Sequence, residues 1–163
     1  MQLTAHTDYA LRVLMYLTIH PQQLVTIGEL AEFFDISKNH LVKVVHNLGL
    51  KGFIHTVRGK GGGICLARPP QQINVGQVVR QIEGHFQIAE CFNPQKQGLC
   101  AIHSQCGLKG LLSDAAEQFL QVLDGAVLAD LVPPDAIPIS TFDSVADGGS
   151  VPKRQTKAID SEQ

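Results

Sequence analysis

Two short helical segments joined by a tight turn, a glycine-rich basic stretch between two runs of strand-forming residues, and a long late amphipathic segment together predict the fold class. It is mainly α with a small β-hairpin wing: a winged helix-turn-helix followed by a long C-terminal dimerisation helix. The chain has 163 residues, 44% of them apolar, which suits one domain with its own core and an appended arm.

The first element is "TAHTDYALRVLMYLTIHP". Ala10, Leu14 and Leu17 recur at helical spacing, joined by Leu11 and Val13, and Pro21 ends the helix. Asp8 falls in its first turn, where a carboxylate complements the helix dipole, four residues before Arg12. "TIGELAEFF" opens on a capping box, Thr26 with Glu29, and Leu30, Phe33 and Phe34 supply its apolar face. "DI" makes the turn. Ser37 then caps "SKNHLVKVVHNLGLKG", whose Leu41, Val44, Val45 and Leu48 form one stripe and whose Gly52 closes the helix.

The start of that second helix presents Ser37, Lys38, Asn39 and His40, with Lys43 one turn on. In a helix-turn-helix these positions meet base edges and phosphates in the major groove. Phe53 to Val57 and Ile64 to Ala67 read as strands joined by "RGKGGG", a wing tip on which Arg58 and Lys60 place charge near the DNA backbone. The glycine loop lacks the order of a phosphate-binding P-loop, and no nucleophile has a positioned base, so an enzyme is not expected. Cys65 alternates within a strand and reads as a small buried residue.

Charge supports this reading once the net −2 is divided. Phe33 to Arg68 holds six basic residues against one acid, whereas Glu90 onward holds five basic residues against ten acids. The expected partner is therefore double-stranded promoter DNA.

Val75, Val78, Val79 and Ile82 mark a short amphipathic helix ahead of the cysteine loop. Beyond the loop, Leu108, Leu111, Leu112, Ala115, Phe119, Val122 and Leu123 give a late helix an apolar face that fits a second copy in a homodimer. The expected division is a DNA-binding domain over residues 1–84, a cofactor loop over 85–107, a dimerisation helix region over 108–132 and a disordered tail over 133–163. Asp8 and Arg12 interrupt the N-terminal apolar stretch and no run approaches bilayer length, so a cytoplasmic protein with reduced thiols and no membrane partner is expected.

Three cysteines share the loop "CFNPQKQGLCAIHSQC" at a C-x8-C-x5-C spacing: Cys91, Cys100 and Cys106. Disulfides would leave one thiol over. Thiolate sulfur suits an iron–sulfur cluster, and His103 can complete a Cys3His zinc site. Between a cluster, zinc and metal-free reactive thiols the spacing does not decide.

The segments "MQLTAHTDYALRVLMYL", "ISKNHLVKVVHNL" and "VRGKGGGICLA", with the three-cysteine loop, are similar to the NsrR-type nitric-oxide-sensing repressors. That group lies in the winged-helix superfamily that also contains the iron–sulfur assembly regulator IscR. The resemblance covers residues 1 to about 132. It implies a homodimer with one [4Fe–4S] cluster per subunit, or a [2Fe–2S] form after exposure to air, and nitric oxide as the signal. It further implies Cys91, Cys100 and Cys106 as ligands, with Asp8 of the other subunit as the fourth. Lys109 stands where the assembly-regulator branch has a histidine, and the cysteines are more widely spaced than in that branch, which argues against it.

Overall fold

The computed structural model describes residues 3–21, 23–84, 88–96 and 98–133. The expected tail, from residue 134 on, lies outside the described residues. Helix α1, Ala5–Ile19, is capped by Thr4, whose hydroxyl accepts from the Thr7 N–H at 3.3 Å. It buries Ala10, Val13, Leu14 and Leu17 on one stripe. His20 follows the last turn, buried, with Nδ1 3.0 Å from the Tyr16 carbonyl.

Helix α2, Ile27–Phe34, keeps the expected capping box: Thr26 Oγ1 accepts from the Glu29 N–H, and the Glu29 carboxylate accepts from the Thr26 N–H. Its inward contribution differs from the sequence reading. Leu30 is fully buried, but Phe33 is 45% exposed and packs edge-on against Tyr16 and Phe34. An eight-residue helix has room for little more than one inward stripe, and Phe33 falls beside it.

The chain then turns through Asp35, the one described non-glycine residue with positive φ (52°). Its N–H reaches back to the Ala31 and Glu32 carbonyls and closes α2. Aspartate tolerates this left-handed geometry better than most residues. Helix α3, Lys38–Leu50, follows at once and buries Leu41, Val44, Val45 and Leu48 against α1 and α2.

Strand β1, Ile54–Val57, pairs antiparallel with β2, Gly63–Leu66, in the register Ile54 to Leu66 and Val57 to Gly63. Gly59 (φ 101°) and Gly61 (φ 78°) make the tip in conformations that side chains disfavour. Val25 adds a single bridge to Ile64, with N–H···O distances of 3.0 and 2.8 Å, so the wing is anchored to the segment ahead of α2. Ile64 takes the inward position on β2. Cys65 therefore alternates outward opposite His55 and is half-buried, not buried as expected.

Helix α4, Val75–Glu83, is capped by Asn74 and buries Val75, Val78, Val79 and Ile82 as the pattern predicts. Helix α5, Gly107–Asp124, ends at Gly125, earlier than the sequence pattern. The next residues return to the core: Leu128 is fully buried and its N–H donates to the Ile73 carbonyl at 2.8 Å.

Two contacts fasten α5 to α4. Arg80 forms a bidentate pair with Asp124, the second arm at 2.7 Å, and Asn74 donates to the Asp124 carbonyl at 2.7 Å. The guanidinium holds the Asp124 carboxyl below its ordinary range, and the carboxylate raises Arg80 in turn. A depressed carboxylate contributes stability above the ordinary aspartate range and loses it as pH falls through the folded-state value, so this clasp opens in acid.

Gly76 lies under the same corner, where an added Cβ would strike the Asp124 carboxylate and stand 2.9 Å from its backbone nitrogen. Gly76→Ala should therefore destabilise the chain by about 1–3 kcal/mol, as overpacking does. Thermal melts followed by circular dichroism check this, with the melting temperature falling.

Candidate functional site

Ser37, Lys38, Asn39, His40 and Lys43 are all exposed along the first turns and outer face of α3. The Ser37 hydroxyl accepts from the His40 N–H at 3.4 Å, fixing the direction in which the helix starts. Arg58 and Lys60 are exposed at the wing tip. Among the described residues none of these cations stands in an ion pair, and all are exposed to solvent. Two ridges of positive charge on one small domain form a surface that can follow a phosphate backbone.

Three further residues belong to this surface and were missed from sequence. Val42 is 50% exposed on the outer face of α3, where an apolar side chain can contact a thymine methyl. Its signal was an apolar residue standing off the Leu41, Val44, Val45 stripe. From α1, His6 and Tyr9 flank His40 and Lys43 around a groove of about 230 Å³. Tyr9 approaches the His40 ring, centroids 6.3 Å apart, and Asn47 Nδ2 donates to His6 Nε2 at 3.0 Å. Nothing in the periodicity of either helix announces that pairing.

Asp8 sits half-buried on the first turn of α1, paired with Arg12 at 2.8 Å. The cysteine loop lies elsewhere. Cys91 is half-buried in a short turn, Glu90–Phe92; Cys100 is exposed; Cys106 is half-buried at the N-terminal cap of α5. All three are free thiols. His103 lies in another short turn, His103–Gln105.

The described residues bring together no group of three or more His, Cys, Asp or Glu side chains able to hold a metal ion. Asp8 and the three thiols are thus separate within one chain. The loop's hydrogen bonds are local: Phe92 to Ala89, Asn93 to Glu90, Lys96 to Asn93, Leu99 to Lys96 and Gln105 to Ile102. Lys96 also bonds Glu90 at 2.7 Å and holds that carboxyl below its ordinary value.

No described side chain from 88 to 106 is buried. The donor chemistry, three free thiols on one loop, fits a soft metal or an iron–sulfur cluster.

A family model described as "Rrf2: Iron-dependent Transcriptional regulator" matches residues 3–134. The chain belongs to the Rrf2 family of transcriptional regulators. It is 50% identical over 133 residues to the HTH-type transcriptional regulator NsrR of Bacillus subtilis (strain 168), covering 81% of this chain and 90% of that protein. It is 45% identical to the NsrR of Shouchella clausii (strain KSM-K16) over the same share of this chain and 89% of that one.

Among solved structures, the oxidized form of Staphylococcus aureus CymR superposes with a TM-score of 0.63 at 25% identity, over 78% of this chain and 93% of that one. T. potens IscR superposes with a TM-score of 0.64 at 21% identity, over 92% and 94%, which shows the shared winged-helix fold. The matching family and the NsrR relatives are transcriptional regulators, not enzymes, as the sequence reading expected of this chain.

Ser37→Ala removes the α3 cap and should cost about 1 kcal/mol of stability while loosening the first turn of α3. Chemical denaturation and backbone amide exchange at Lys38 to Leu41 check this, with faster exchange confined to that turn.

Proposed function

We propose that this chain is a transcriptional repressor that acts as a homodimer, holds one [4Fe–4S] cluster per subunit and senses nitric oxide through it. Release from promoter DNA then derepresses genes for nitric-oxide detoxification. The observation that carries this reading is the pairing, in one chain, of a basic reading head with three free thiols on a loop in which no described side chain is buried. The similarity to NsrR supports it.

Cys91, Cys100 and Cys106 would hold three irons. Asp8 of one subunit would supply the fourth bond to the loop of its partner. When bound, such a cluster supplies irons that react with nitric oxide. The chain's own part is to hold and release. Asp8 is half-exposed, and its pair with Arg12 is a surface contact of small energetic weight, so the carboxylate can be shared or surrendered at little cost. A hard oxygen is also a poorer match for cluster iron than thiolate, which makes this the bond that yields first.

Cys106 caps α5, so a negatively charged group held there sits at the positive end of that helix. Lys38, Asn39, His40 and Lys43, with Arg58 and Lys60 on the wing, read the operator. The two recognition helices stand roughly 34–36 Å apart, one turn of DNA.

The second copy covers α5. Leu108, Leu111 and Val122 are 61%, 66% and 75% exposed, and with Ala115 and Gln118 they follow heptad spacing along one seam. Burying each of the three large side chains contributes on the order of 1.5–3 kcal/mol. The sequence reading merged this seam with Leu112, Phe119 and Leu123, which the structure half-buries on the other side of the helix. No described helix is long and apolar enough to cross a membrane, in keeping with action on DNA in the cytoplasm.

Anaerobically purified protein should be brown and contain iron and acid-labile sulfide. Asp8→Ala should retain part of its iron and respond differently to nitric oxide, read by visible absorbance. Colourless zinc protein would contradict the reading, and Asp8→Ala behaving as wild type while His103→Ala lost the cluster would overturn the ligand assignment.

A further inference from the structure

The first turn of α1 is a junction. Successive residues on a helix point about 100° apart, so neighbouring side chains here reach three different destinations. His6 accepts from Asn47 of the recognition helix, Asp8 faces outward to Arg12, and Thr4 and Thr7 turn to the end of α4. There they meet Glu83. Its carboxylate accepts from the Thr4 N–H at 3.2 Å, from the Thr4 hydroxyl at 3.1 Å and from the Thr7 hydroxyl in a short contact. Thr7 is fully buried, so its end of this bond is shielded from water, while Glu83 is half-buried.

Glu83 is the last residue of α4, the helix end at which its own dipole disfavours a carboxylate. It lies at the N-terminus of α1, the end at which a carboxylate is favoured. Its placement thus works against its own helix and for its neighbour. One turn earlier on α4, Arg80 grips Asp124 of α5, whose other end starts directly after Cys106. A continuous chain of polar contacts and rigid helices therefore runs from the cysteine loop through α5 and α4 to α1, and from α1 to α3.

We infer that Glu83 is the positioning residue through which the state of the cysteine loop sets the recognition helix within the same subunit. The inference rests on the repressor reading above and deepens it. With the loop ordered, α5 and α4 hold Glu83 against Thr4 and Thr7, and the turn bearing His6 fixes Asn47 and α3. With the loop released, that hold weakens and α3 loses its setting. Coupling of this kind needs an element that both sites bias, and the first turn of α1 is that element.

The test uses full-length protein purified without oxygen, with and without its cluster, and a DNA duplex selected from a random pool by the wild-type cluster-bound protein. Glu83→Gln keeps the shape and removes the charge, and Thr7→Val removes the buried hydroxyl without changing volume much. Each should lower the ratio of cluster-bound to cluster-free DNA affinity by about ten-fold, within the usual range for coupled sites. Iron content, visible absorbance and cluster-free affinity should stay at wild-type values, and the double variant should lose no more than either single one.

An unchanged ratio in both variants would overturn the inference. So would a fall in both affinities in parallel with the melting temperature, the mark of a merely structural contact. A wild-type protein whose DNA affinity ignores the cluster would overturn the repressor reading itself, and this inference with it.

Discussion

No described side chain between Ile88 and Asp124 is buried, whereas the core from Ala10 to Ile82 closes fully around α1, α3, α4 and the wing. That imbalance governs the molecule. A helix in a protein gains most of its stability from packing an apolar face and not from propensity. Here α4 covers one side of α5 and leaves Leu108, Leu111 and Val122 outside. The described hydrogen bonds of the cysteine loop join residues a few positions apart. On the proposed function, the order of the loop comes from the group the thiols grip and from the second copy on α5. A region built this way suits a switch, because removing one external partner releases it without unfolding the reading head.

The reading head, in contrast, carries its own support. Thr26 with Glu29 fixes the start of α2, Asp35 and Ser37 define the turn between α2 and α3, and Val25 ties the wing to the segment ahead of α2. Basic side chains can then be spent on the surface instead of in ion pairs. The first turn of α1 is where the two regions meet: it bears Asp8, supports α3 through His6 and rests on α4 through Thr7. A small shift at that turn reaches the recognition helix because the intervening elements are packed and move as units.

The elements legible in sequence are those specified locally. The stripe of Leu41, Val44, Val45 and Leu48 located α3, the Thr26–Glu29 spacing located the start of α2, and the glycines of the wing located its tip. The outward turn of Phe33 and the return of Leu128 to the core were not legible, since periodicity reports an apolar face and not its cover. The Glu83 contacts span 76 and 79 residues and involve threonines that read equally well as ordinary caps. The cysteine loop was legible as chemistry but not as geometry. Its spacing left a cluster, zinc and free thiols open, and the described residues gather no group of three or more such side chains able to hold a metal ion.

The central claim is that the state of the thiol-held group decides DNA occupancy. An anaerobic titration of the cluster-loaded protein with nitric oxide, following visible absorbance and DNA binding in the same sample, tests it most directly. The account predicts that loss of the cluster absorbance and release of DNA follow one another over the same range of added nitric oxide. Full DNA binding after the absorbance has been bleached would contradict it.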